Sequence, residues 1–219
     1  MTKRSYASLG ELKAVLGITA TTDDVAILKT LEAATFEIED YARRFQPYLE
    51  TKYFDGHTPL WIPDLISITA SGLTIDEDGD GTFEKTFSST DYLEYGVGIE
   101  DSLNTFPRTR LELSETSSQG SFANGMKNGV KIVGTWGYGD GSSTPYVSDT
   151  TLSVSCSTEA TASVTSVANL SPGMTILFES ATGEQAYINS VSSTALNLER
   201  GINGTTAVVH TNAAQLYYY

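Results

Sequence analysis

The chain has 219 residues, 40% of them hydrophobic, with a formal net charge of −14 and a pI near 4.4. That length can bury a core in one domain or two, the hydrophobic content excludes a disordered chain, and the charge argues against a protein that grips nucleic acid. A single cysteine, Cys156, excludes an internal disulfide, and no run of about twenty apolar residues is present to span a membrane.

The N-terminus opens with Lys3 and Arg4 but lacks the apolar core of a signal peptide. The protein is therefore expected to be soluble and not exported through such a sequence. Ser8-Leu9-Gly10-Glu11 reads as a capping box, with Ser8 as cap and Glu11 reaching back. Leu9, Leu12 and Leu16 share one helical face, and Gly17 stops the helix.

Residues 23–45 form the strongest periodic segment. Val25, Leu28, Leu31, Thr35, Ile38, Ala42 and Phe45 recur at three- and four-residue steps, and Ile27, Ala34 and Tyr41 widen the stripe. The pattern predicts an amphipathic helix that buries this face. Thr21, Thr22, Asp23 and Asp24 suit its start, Arg43 and Arg44 its last turn, and Pro47 closes it. The two helices make a hairpin, expected to pack on the β region that follows.

Beyond Pro47 the pattern changes to strands. Residues 48–54 alternate and meet the turn dipeptide Asp55-Gly56. Leu60-Trp61-Ile62 is a short apolar run ended by Pro63-Asp64. Residues 65–70 and 73–75 are strand-like, 76–81 is an acidic turn, and 82–87 returns as the second arm of a hairpin. A short strand is predicted at 92–95. Residues 108–113 place Arg108, Arg110 and Glu112 on one face and Thr109, Leu111 and Leu113 on the other. Residues 114–129 read as an exposed loop and 127–138 as the last strong strand.

The stretch 137–145 is a linker by its Gly, Ser and Pro content. Past it, charges thin out, and strands are predicted at 151–155, 162–167, 174–179, 184–191, 195–198 and 214–219. The fold class is thus α+β: an N-terminal helical hairpin packed on an antiparallel β region, followed by a small all-β sandwich or barrel module. The expected domains are 1–139 and 150–219, joined by a linker at 140–149. A module of about seventy residues is near the lower limit for folding alone, so it is expected to lean on a neighbour.

Five places could carry chemistry. Asp76, Asp78 and Asp80 stand at positions one, three and five of a calcium loop, with Gly81 at six. Glu84 falls at position nine, but position twelve is Phe87 instead of a bidentate glutamate. A solvated hairpin turn without tight calcium binding is the expected outcome. His57 and His210 are the only histidines, and neither lies in a triad or zinc motif, so both are read as surface residues. Cys156 reads as a small buried side chain and not as a nucleophile. Arg108 and Arg110, with Lys127 and Lys131, could form a basic strip for partner salt bridges. Tyr217, Tyr218 and Tyr219 suit either a final strand or an apolar docking tail. No phosphate-loop spacing occurs, and no catalytic constellation is visible.

The order of segments points further. Tyr6-Ala7-Ser8-Leu9-Gly10-Glu11-Leu12-Lys13 is followed by the long helix ending in Tyr41-Ala42-Arg43-Arg44-Phe45. Then come Thr51-Lys52-Tyr53-Phe54-Asp55-Gly56, Trp61-Ile62-Pro63-Asp64, Asp78-Gly79-Asp80-Gly81-Thr82-Phe83 and the strand from Val130 to Tyr138. This succession, over about residues 5–139, resembles the head–tail connector (adaptor, head-completion) proteins of tailed bacteriophages. The segment from Ser171 to Ala207 and His210 is similar to a β module of some members.

The resemblance implies a structural virion protein without catalysis, cofactor or membrane association. Such adaptors form a homo-oligomeric ring, commonly a dodecamer, beneath the portal protein. The ring extends the DNA channel, through which DNA passes without specific binding, and carries the next neck or tail completion protein. Localisation in the virion neck, after assembly in the host cytoplasm, follows. Many relatives continue after the Val130–Tyr138 strand with further helices, whereas here the β module follows. A different class also fits the composition: a β-rich surface or carbohydrate-binding adhesion module using Trp61 or Trp136.

Overall fold

A computed structural model describes residues 4–42, 44, 46–96, 106–138, 145–179 and 183–219. Two helices come first, α1 (Leu9–Leu16) and α2 (Asp24–Ala42). Six strands follow: β1 (Tyr48–Phe54), β2 (Leu60–Ile75), β3 (Lys85–Thr86), β4 (Tyr92–Gly96), β5 (Arg108–Leu113) and β6 (Val130–Trp136). Six more complete the chain: β7 (Val147–Thr151), β8 (Thr161–Ser163), β9 (Thr175–Phe178), β10 (Glu184–Ser192), β11 (Ala195–Ile202) and β12 (Gln215–Tyr218). The α+β class holds, with a helical N-terminal segment and a β-rich remainder.

The partition differs from the expected one. Contacts group Met1–Arg44 with Tyr146–Tyr219, and Phe45–Pro145 forms the other unit. The helical hairpin therefore belongs with the C-terminal module, not with the β region next to it in sequence. The region expected as linker ends early: Pro145 is buried, Tyr146 is half-buried and β7 begins at Val147, while 139–144 lie outside the described residues.

The 45–145 unit is an antiparallel sheet ordered β1-β6-β2-β5-β4, with β3 on β2. Its interior strand β6 alternates buried and half-buried residues without a break, which is why Val130, Ile132 and Trp136 line one face. Around them pack Leu60, Leu65, Leu73, Ile75, Leu111 and Phe122. Leu60-Trp61-Ile62 and 65–75 are one strand and not two. Pro63 is accommodated at a register shift between Trp61 and Leu65 in the pairing with β5.

In the other unit, a sheet runs β7-β12-β9-β10-β11-β8 around Leu152, Ile176, Phe178, Ile188, Leu196 and Leu216. The capping box forms as read: the Glu11 N–H donates to Ser8 Oγ at 3.2 Å and the Ser8 N–H to Glu11 Oε2 at 2.7 Å. Gly17 takes φ +67°, the left-handed C-cap that a side chain resists. The hairpin is tied at its mouth by Lys13, whose ammonium lies 2.5 Å from Asp24 Oδ1.

The inward face of α2 is the predicted stripe only in part. Thr35 is buried and Leu28 and Leu31 are half-buried, whereas Val25 is 70% and Ile38 45% exposed. Facing inward beside them are polar groups with partners. The Tyr187 hydroxyl donates to Glu32 Oε1 at 2.6 Å, and the Tyr6 N–H to Thr35 Oγ1 at 3.1 Å. Glu39 accepts from the Tyr6 hydroxyl at 2.8 Å and pairs with Arg4. An apolar stripe this wide leaves the rotation of the helix to be set by whichever polar anchors find partners. At the start of α1, the Leu9 N–H donates to Pro172 O at 2.9 Å and the Gly10 N–H to Ser171 Oγ at 2.9 Å. These bonds join the hairpin to the β module.

Candidate functional site

The acidic turn gathers its carboxylates. One oxygen from each of Asp76, Asp78, Asp80 and Glu84 lies within 4.8 Å of the others. Much of their bonding capacity is turned to the loop itself. Asp76 accepts from the Gly79 N–H at 2.6 Å and the Gly81 N–H at 2.9 Å, and Asp80 accepts from the Thr82 N–H at 2.6 Å. Burial raises the Asp76 carboxyl, but the surrounding backbone N–H groups outweigh it and hold the group below its ordinary value. The geometry is that of side-chain-closed turns with a cluster that a hard cation could join.

His210 is not a surface residue, contrary to the expectation for it. It is fully buried, because the loop after β11 folds back and forms a backbone bridge with Cys156. Its ring stacks on Phe178 at 4.5 Å. Nδ1 lies 2.8 Å from Glu179 Oε2 and Nε2 lies 2.9 Å from Glu184 Oε2. Glu184 in turn accepts from Arg200 through two bonds of 2.5 and 2.8 Å and from the Val208 N–H at 2.8 Å. Burial alone would raise the Glu184 carboxyl; Arg200, Val208 and His210 together bring it below its usual range. Arg200 also donates to Ser157 O at 2.8 Å and Val208 O at 2.9 Å.

This cluster resembles catalytic furniture and is arranged otherwise. Cys156 is buried, with Arg200 Nη1 3.6 Å from its sulfur. Both ring nitrogens of His210 are directed at carboxylates, so neither is offered to that thiol. The arrangement does the work of a tie: it joins the ends of β9 and β10 to β11 and to the loop before β12. Glu179, Glu184 and Arg200 were not singled out from sequence. An isolated arginine and glutamate in a stretch almost without charges was the available signal.

The two arginines of the basic strip are engaged within their own sheet. Arg108 Nε lies 2.6 Å from Glu94 Oε2, and its Nη1 donates to Ile66 O at 2.8 Å. Burial raises the Glu94 carboxyl, and Arg108 pulls against that. Arg110 Nε lies 3.1 Å from Glu112 Oε1, and its guanidinium sits over the rings of Tyr95 at 4.6 Å and Trp61 at 5.4 Å. Tyr217 and Tyr218 belong to β12, which lies between β7 and β9 inside the sheet, and Tyr219 meets the Tyr146 ring edge-on at 5.9 Å. The chain end is therefore placed as a final strand with half-buried rings.

The two tryptophans have different fates. Trp136 is buried, its indole N–H donating to Glu50 O at 2.9 Å. Trp61 is 63% exposed and borders an open cleft of about 430 Å³ with Tyr53, Asp55, His57 and Asn128. His57 is exposed, as read.

No protein-family model, no curated protein and no solved structure matches this chain.

Proposed function

We propose that the protein is a structural subunit of the head–tail junction of a tailed bacteriophage: an adaptor that assembles into a ring below the portal and passes DNA through its centre. The observation that carries this reading is the outward face of the helical hairpin. Val15, Leu16, Val25 and Tyr41 stand in solvent, Tyr41 at 94% exposure, while the glutamates Glu32 and Glu39 point inward to tyrosine and arginine partners. A hairpin that leaves such large apolar side chains in solvent, while Glu32 and Glu39 are engaged inward, is suited to a neighbouring subunit. Head-to-tail contacts that close on rotation make a ring, and a DNA conduit needs that closure. The net charge of −14 agrees with a lumen along which DNA slides without adhering. The order of segments described above supplies the kind of ring.

The reading is tested on particles assembled without this protein. Heads that fail to retain DNA or to join tails are expected, with the defect repaired by the protein supplied in trans. Particles that keep DNA and join tails normally would falsify the proposal.

A further inference from the structure

We infer that the cleft beside Trp61 in the 45–145 unit is a carbohydrate-binding site for a neutral oligosaccharide. The inference does not depend on the ring proposal. The site is a pair of adjoining hollows. One, of about 430 Å³, is bordered by Tyr53, Asp55, His57, Trp61 and Asn128. The second, of about 400 Å³, shares Tyr53 and Asn128 and adds Asp76, Phe83 and Lys127. Each is within the range of small-ligand sites, about 300–1,000 Å³, and the shared residues make them successive compartments of one groove.

A sugar ring presents an apolar face of C–H groups and a rim of hydroxyls. The groove offers the complement of both. Trp61 and Tyr53 are exposed at 63% and 52%, an unusual use of large rings unless something covers them. Between and beside them stand Asp55, His57 and Asn128, all exposed and each able to meet hydroxyl groups as acceptor, donor or both.

The site is also held rigid, which reduces what binding must order. Trp61 is backed by the Arg110 guanidinium, itself fixed by Tyr95 and Glu112. Asp55 Oδ1 accepts from the Asn128 N–H at 2.9 Å, tying the two banks together. Beneath them the backbone at Gly56 is so close to its neighbour that a Cβ there would lie 1.7 Å from Ala123 O.

Charge narrows the ligand. Asp55 and Asp76 oppose uronic, sulfated or phosphorylated sugars. A basic peptide is the other natural partner of rings and carboxylates, yet the chain's own cations at those rings repel a further one: Arg110 lies over Trp61 and Lys131 over Phe83 at 5.3 Å. Lys127 stands in the second hollow as well. A neutral polyhydroxy ligand is what remains.

The test titrates the full chain with cellotriose, maltotriose and triacetylchitotriose by calorimetry, with trigalacturonate and trilysine as comparisons. At least one neutral trisaccharide is expected to bind with a Kd below about 10 mM. Trp61→Ala should weaken that binding by about tenfold or more at an unchanged far-UV circular dichroism spectrum, and Tyr53→Ala and His57→Ala should each weaken it severalfold. The exposed positions of all three make loss of fold improbable as a cause, and the spectrum checks it. Absence of binding by all three sugars, equal affinity in the three variants, or tighter binding of trilysine than of any sugar would each overturn the inference; the last would reassign the groove to basic peptides.

Discussion

In the 45–145 unit, charge stays at the partly wet face of a sheet. Arg108 and Arg110 pair with Glu94 and Glu112 and lie over aromatic rings, while the core beneath them is apolar. In the unit formed by 1–44 and 146–219, charge goes inside. Glu184, Arg200 and His210 are enclosed beside Phe178, and the helices are fastened through Glu32, Thr35 and Glu39. The first unit is held by side-chain alternation along neighbouring strands. The second must bring together segments far apart in sequence, and it does so with directional polar ties. A buried ion pair contributes little net stability against an apolar substitute, but half of one is costly.

The sharpest break of that contrast is a matched pair of substitutions. Arg200→Met leaves Glu184 buried without its cation and is expected to cost about 3–5 kcal/mol. Arg110→Met removes a pair at the sheet surface and is expected to cost about 0–1 kcal/mol. The readout is built in, because Trp61 and Trp136 both lie in the 45–145 unit. In urea unfolding of Arg200→Met, the circular dichroism transition should move while tryptophan fluorescence does not. Fluorescence moving by the same amount would mean that the two units unfold as one.

Acid sharpens the comparison next. The Glu184 carboxyl is lowered in the folded state, with burial opposed and outweighed by Arg200, Val208 and His210. A lowered carboxyl contributes stability above its unfolded value, about 4.3, and that contribution is lost as pH falls through the folded value. The stability gap between the wild type and Glu184→Gln should therefore be widest near neutrality and narrow below about pH 4.3. A gap constant from pH 7 to pH 3 would contradict the assignment.

This same contrast decides what could be read in advance. The strands of the 45–145 unit were legible where burial follows a period of two, as in β6. The caps of α1 were legible because Ser8, Glu11 and Gly17 act within a few residues of themselves. The inward face of α2 was legible only in part: Leu28, Leu31 and Thr35 turn inward as read, but Val25 and Ile38 do not, since the stripe says only that some face is apolar. Tyr187 and Tyr6, which fix the rotation, come from elsewhere in the chain. The domain partition failed for the same reason: nearness in sequence was taken for nearness in space. His210 was missed because a polar side chain is buried only when distant residues satisfy it, and the one signal for Glu179, Glu184 and Arg200, charge in a stretch almost without it, does not say which residue they meet.

The acidic turn offers a smaller effect. Four carboxylates within 4.8 Å repel one another, and Asp76 has both oxygens engaged by backbone N–H groups. Calcium is expected to bind weakly, with a Kd on the order of 10⁻³ M, and to stabilise the 45–145 unit by about 1–2 kcal/mol at saturating millimolar ion. The stabilisation should vanish in Asp78→Ala. Micromolar affinity in calorimetry would show that the loop is a dedicated calcium site instead of a solvated turn.

The smallest effect on stability carries the most weight for assembly. Val25 and Tyr41 lie on the exposed side of α2, at 70% and 94% exposure. Replacing both by Ser removes little that the isolated chain buries, so unfolding should shift by no more than about 0.5 kcal/mol per site. A matched change inside the sheet, Val130→Ala at a fully buried position, should cost more, because it removes apolar contacts and leaves space behind. If the outward face of the helices meets a neighbouring subunit, the surface pair should abolish incorporation into particles while the folded chain remains as stable as the wild type. If the pair enters particles at the wild-type level, the exposed stripe is not the contact, and the groove beside Trp61 becomes the more informative surface. Stability and assembly are thus expected to separate: one substitution weakens the fold and the other, nearly silent in solution, stops the ring.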